Sequence, residues 1–73
     1  MNKLKQELQR QRLTNSALAR ELTKITGMEI SRQRINNWTQ NKHLPRFPMM
    51  KKIADYLEVT IEELFYNEYE EKQ

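Results

Sequence analysis

Three times along its 73 residues the chain repeats one device. Leu13-Thr14 is followed by Leu18, Ile30-Ser31 by Ile35, and Val59-Thr60 by Leu64. Each hydroxyl can accept from the unpaired N–H groups of a helix's first turn, while the apolar residue before it meets the one at the fourth helical position. This staple fixes the angle at which the chain enters a helix, so three helix starts are set by local chemistry. Thr60 with Glu63 also makes a capping box. Gly27, the only glycine, suits a helix end, and Asn41 can take the same left-handed conformation at some cost. Pro48 can sit in a first turn. With one glycine and two prolines, Pro45 and Pro48, tight-turned strands are disfavoured, and an all-α chain is the expectation.

Five helices are expected, at roughly 3–12, 15–26, 32–40, 48–57 and 61–66. Their apolar positions follow helical spacing: Leu4 and Leu8; Leu18, Leu22 and Ile25; Ile35 and Trp38; Met49, Met50, Ile53 and Leu57; Ile61, Leu64 and Phe65. None of these stripes is wide enough to stabilise a lone helix, so the helices pack on one another. The length leaves room for one core only, a domain over residues 1–66 followed by an acidic tail at 67–73.

The composition excludes several chemistries. Without cysteine there is no disulfide, thiol nucleophile or Cys-ligated zinc, and His43 stands alone. No metal, cofactor or catalytic set is expected, and with no glycine-rich phosphate cradle the chain reads as a non-enzyme. No apolar run nears the roughly 20 residues of a membrane span, and residues 1–6 carry no apolar signal region, so a soluble, cytoplasmic protein is expected.

The net charge of +3 conceals a polar layout. Residues 1–29 hold six Lys/Arg against three acids (+3), and 53–73 hold seven acids against Lys72 (−6). Between them, Arg32, Arg34, Lys42, Arg46, Lys51 and Lys52 stand with no acid (+6). A basic middle and an acidic end fit a chain that meets a polyanion with one face, and equally a solvated helical protein of uneven charge.

The third helix separates these readings. At about 100° per residue, Ile35 and Trp38 define its buried direction. The opposite face holds Gln33, Asn36, Asn37 and Gln40, flanked by Arg32 and Arg34. A merely solvated helix usually carries Glu and Lys, which form helix well, whereas Asn does not. Asn and Gln pair bidentately with adenine and Arg with guanine, so this face has the groups for major-groove readout.

Three stretches carry a resemblance: Leu13-Thr14-Asn15-Ser16-Ala17-Leu18-Ala19; Ile30-Ser31-Arg32-Gln33-Arg34-Ile35-Asn36-Asn37-Trp38; and Pro45 through Ile53-Ala54 to Leu57-Glu58-Val59-Thr60-Ile61-Glu62-Glu63-Leu64-Phe65. Together they resemble the Cro and phage-repressor type (XRE-like) helix-turn-helix family over about residues 4–65. The closing Leu57–Phe65 stretch is the most specific piece. The resemblance implies a compact five-helix, lambda-repressor-like domain whose third helix enters the major groove of double-stranded DNA while the second lies across the backbone. By position it implies base contacts for Arg32, Gln33 and Asn37, with Asn36 beside them. It places Asn15 where the family has a phosphate-binding Gln, and Asn41, Lys42 and His43 in the loop that approaches the opposite backbone stretch. Arg34 and Gln40 join the backbone set. The sequence departs from the pattern in three ways: an interval at 23–29 about five residues longer than the usual short turn, no glycine between helices 1 and 2, and Asn41 where a glycine is common.

The resulting expectation is a small phage or prophage regulator, a Cro-like repressor or modulator that acts by occupying an operator. Paired half-sites would call for a homodimer, either weak or completed on DNA. The rival is a protein-binding module: an antirepressor pairing with a larger repressor, or an antitoxin. For that rival, or for dimerisation, Phe65, Tyr66 and Tyr69 are the candidate interface anchors; alternatively Phe65 closes the core and the tyrosines sit on a tail.

Overall fold

The computed structural model describes residues 2–66, for Tyr66 the backbone alone. The helices are α1 (Leu4–Arg10), α2 (Asn15–Thr26), α3 (Arg32–Thr39), α4 (Phe47–Leu57) and α5 (Glu62–Tyr66), the last wound as a wider π-type turn. Among the described residues there is no strand. The expected helix starts are in place. Thr14 Oγ1 accepts from Ala17 N at 3.0 Å, Ser31 Oγ from Arg34 N at 3.2 Å and Thr60 Oγ1 from Glu63 N at 3.1 Å. All six staple residues belong to the core or pack against it.

The helix ends were less legible. Four end on a left-handed residue: Arg12 (φ 60°), Gly27 (φ 73°), Asn41 (φ 61°) and Glu58 (φ 60°). Around Arg12, Asn41 and Glu58 the backbone closes in the same pair of bonds. Leu13, Lys42 and Val59 N donate to Leu8, Asn37 and Ala54 O, while Arg12, Asn41 and Glu58 N donate to Gln9, Trp38 and Asp55 O. This is the Schellman arrangement, which satisfies carbonyls the helix leaves open. It stops α1 at Arg10, short of the expected residue 12.

One core joins all five helices. Leu4, Leu18, Leu22, Ile35, Ile53 and Phe65 are completely buried, and Trp38 is 4% exposed. Each such side chain contributes about 1.5–3 kcal/mol by leaving water. Ile25 corrects the expected stripe: it is 46% exposed, because the buried residues of α2 stop at Leu22 and the helix runs a further turn to Thr26. Ile30, buried in the returning chain, joins the core instead. The long interval between α2 and α3 thus divides into that extra turn and a connection pinned by Thr23, whose Oγ1 accepts from Ile30 N at 3.0 Å and donates to Ala19 O at 2.8 Å.

Two polar ties fix α1 against its neighbours. Gln11 Nε2 donates to Leu57 O at 2.7 Å, satisfying a carbonyl at the end of α4. The same nitrogen donates to Glu7 Oε2 at 2.7 Å, which also accepts from Arg10 Nε at 2.9 Å. Arg10, then Gln11, holds the Glu7 carboxyl below its ordinary pKa. At the other end, Lys3 N donates to Leu64 O at 2.8 Å, joining α1 to α5.

Candidate nucleic-acid interface

The outer face of α3 follows from its inner one. Because Ile35, Trp38 and Thr39 are buried, Arg32, Gln33, Arg34 and Gln40 stand exposed, with Asn36 and Asn37 half-buried at the edges. The buried direction is the one expected from Ile35 and Trp38, and Gln33 and Gln40 face outward as expected, but Asn36 and Asn37 lie half-buried rather than on the outermost face. Among the described residues no carboxylate forms an ion pair with Arg32, Arg34, Lys42 or Arg46; the pairs observed are Arg10–Glu7, Lys24–Glu21 and Lys51–Asp55. No described carboxylate therefore takes up the donors and charge of the α3 guanidiniums.

The amides are partly ordered by one another. Gln33 Nε2 donates to Asn37 Oδ1 at 3.3 Å, one helical turn along, as Gln and Asn do at this spacing. Asn15 Nδ2, at the first residue of α2, donates to Asn36 Oδ1. The residue expected at a phosphate is thereby joined to one expected at a base edge. Each amide nitrogen carries two hydrogens, so Asn15 and Asn36 both keep amide hydrogens that this bond does not use.

Beyond α3 the left-handed turn at Asn41 exposes Asn41, Lys42 and His43. The Asn41 side chain is tied from within: its Oδ1 accepts from Asn2 Nδ2 at 3.0 Å, and the same nitrogen donates to Trp38 O at 2.8 Å. Asn2 Oδ1 accepts from Leu4 N at 3.1 Å, an Asx turn that leads into α1, whose N-cap Lys3 makes no side-chain cap bond. The sequence reading missed Asn2. An asparagine two positions before an apolar helix was the available signal for that turn, but nothing local pointed to Asn41.

The interface anchors fare differently. Phe65 is 0% exposed and closes the core, which removes it from any surface offered to a partner. The side chain of Tyr66, Tyr69 and the 67–73 segment lie outside the described residues. A second feature missed by sequence is a groove of about 480 Å³ beside α3, bounded by the α2–α3 connection, the loop after α3 and the first turns of α4.

A helix whose first residue is tied to a second, exposed, acid-free helix, both seated on a small all-helical core among the described residues, has the form of a helix-turn-helix domain. Comparison with protein families bears this out: the helix-turn-helix family model of the Cro and phage-repressor type matches residues 4–64, and the chain belongs to that family, whose members are regulators that bind double-stranded DNA. Comparisons with curated proteins and with solved structures gave no match.

Proposed function

We propose that the protein is a sequence-specific, Cro-like repressor or modulator of phage or prophage type that acts by occupying an operator. In this reading α3 lies in the major groove, where Arg32, Gln33, Asn36 and Asn37 meet base edges. Asn15, Arg34, Gln40, Asn41, Lys42 and His43 hold the flanking phosphates, which set register and supply most of the salt-dependent affinity. The observation that carries the reading is the outer face of α3, with guanidiniums and amides, no acid, and an amide brace to α2. Paired half-sites call for two copies, and a domain this small buries little surface, so dimerisation completes on DNA.

The test is a salt titration of binding to duplex DNA from upstream of the protein's own gene, run beside a mass measurement of the free protein. Tight binding that falls steeply with salt, by the protein alone, supports the regulator. Weak binding rescued only by a second protein overturns it in favour of a modulator.

A further inference from the structure

The groove beside α3 has the wrong chemistry for phosphate alone. Its floor is apolar, drawn from Met28, Leu44, Pro45, Pro48 and Met49, and Met28 is 56% exposed. Its rim is cationic, with Arg34, Arg46 and Lys52. Among the described residues none of the three is paired with a carboxylate, and no acid lines the groove. Arg46, the N-cap of α4, makes no side-chain cap bond, and the first turn of α4 holds no acid, so the helix end adds unpaired N–H groups and a positive dipole. Phosphate would use the rim and leave the floor wet. An apolar anchor among carboxylates would use both, in the arrangement of an interface core within a polar rim. Methionines suit such a site because they reshape around an incoming side chain.

We propose that this groove docks an acidic segment of a partner protein, one that seats an aromatic or aliphatic side chain on the methionine floor and its carboxylates on Arg34, Arg46 and Lys52. Arg34, Asn37 and His43 line the groove and also belong to the DNA-facing set, so the segment and the operator exclude one another. The exclusion rests on the DNA-binding reading; the docking does not. An acidic partner would thus lift the protein from DNA without altering its fold.

The test uses the full chain and three probes: a labelled peptide repeating Glu-Glu-Leu-Phe, poly-glutamate of the same length, and duplex DNA from the protein's own locus. The amphipathic peptide should bind at least about tenfold more tightly than poly-glutamate and should be displaced by the duplex. Met28→Ser removes floor without changing charge, and Lys52→Ala removes rim. Each should weaken the peptide about tenfold, and Met28→Ser should leave duplex affinity unchanged, with circular dichroism showing that both variants fold. Equal binding of poly-glutamate, or an unaltered peptide affinity in Met28→Ser, overturns the proposal and makes the groove part of a general polyanion face. Peptide binding blocked by self-association as protein concentration rises assigns the groove to a second copy and likewise overturns it. If peptide and duplex bind together, the exclusion falls. If no duplex binds, the regulator reading falls and the peptide arm alone decides the docking site.

Discussion

Asn2 and Asn41 are joined by a hydrogen bond of 3.0 Å between residues far apart in the chain, and through it the start of α1 holds the loop that ends α3. Asn2 is 6% exposed; its Oδ1 takes the Leu4 N–H at the start of α1, and its Nδ2 adds a second donor to Trp38 O, which also accepts from Asn41 N. Asn2→Ala should therefore cost about 1–3 kcal/mol. Asn2→Asp should cost more at neutral pH, because it sets a carboxylate oxygen against Trp38 O and Asn41 Oδ1 while keeping the bond from Leu4. Urea unfolding of both variants measures this; an aspartate variant as stable as the parent would show that the amide donor is idle.

A second prediction concerns the left-handed helix ends. A side chain at positive φ costs roughly 1–2 kcal/mol, while glycine's extra freedom in the unfolded chain costs about 0.5–1 kcal/mol. Arg12 and Glu58 are exposed and sit at φ 60°, so Arg12→Gly and Glu58→Gly should each stabilise by about 0.5–1 kcal/mol. Asn41→Gly should gain nothing, since asparagine tolerates this conformation and its side chain bonds Asn2. Urea midpoints decide; a gain at Asn41 equal to that at Arg12 would count the Asn2 bond as worthless.

The third prediction weighs the core against the whole. Trp38 is 4% exposed on the inner face of α3, and Trp38→Ala should cost about 3–5 kcal/mol. A single core in a chain below about 80 residues rarely supplies more than about 3–5 kcal/mol, so the variant should be close to unfolded at room temperature. A melting point within a few degrees of the parent would contradict the packing of α3.

What could be read in advance divides along physical lines. Helix starts at Thr14, Ser31 and Thr60 were legible because a cap and its staple are decided within five residues of chain. The facing of α3 was legible because Ile35 and Trp38 set it by periodicity alone. Ile25 was not, since periodicity gives direction but not whether another helix lies there to cover it. Arg12 and Glu58 carry no local mark of a left-handed turn; the bonds from Leu13 and Val59 back into the helices impose it. Asn2, Gln11 and the groove beside Met28 exist only once distant segments meet, so no window along the chain contains them.

The fourth prediction is a pH dependence. Arg10 chiefly, and Gln11 next, hold the Glu7 carboxyl below its ordinary pKa in the folded chain. A depressed carboxyl stabilises the fold above the unfolded chain's pKa and loses that stabilisation as pH falls through the folded value. Stability should thus drop on acidification below the ordinary glutamate range, modestly, because Arg10 is largely exposed. Glu7→Gln should flatten that acid limb and leave the neutral-pH side unchanged in slope. Thermal melts of parent and variant across the acid range test it, and parallel curves would remove Glu7 as the source.

The last prediction separates reading from anchoring on DNA. Gln33 and Asn37 share one hydrogen bond, so each orders the other's amide. Gln33→Ala or Asn37→Ala should lose about 1–3 kcal/mol on the best operator and far less on random duplex, because a base contact discriminates and a phosphate contact does not. The double variant should lose less than the sum of the two, since each single change already disturbs the partner. Lys42 is exposed in the turn after α3 and lies in the expected phosphate set. Lys42→Ala should weaken operator and random duplex alike and make the salt slope shallower by about one unit. Binding titrations on both duplexes at several salt concentrations carry the test. Equal losses for all the variants on both DNAs would mean that α3 anchors the protein without reading sequence, and the assignment of Gln33 and Asn37 to base edges would fall.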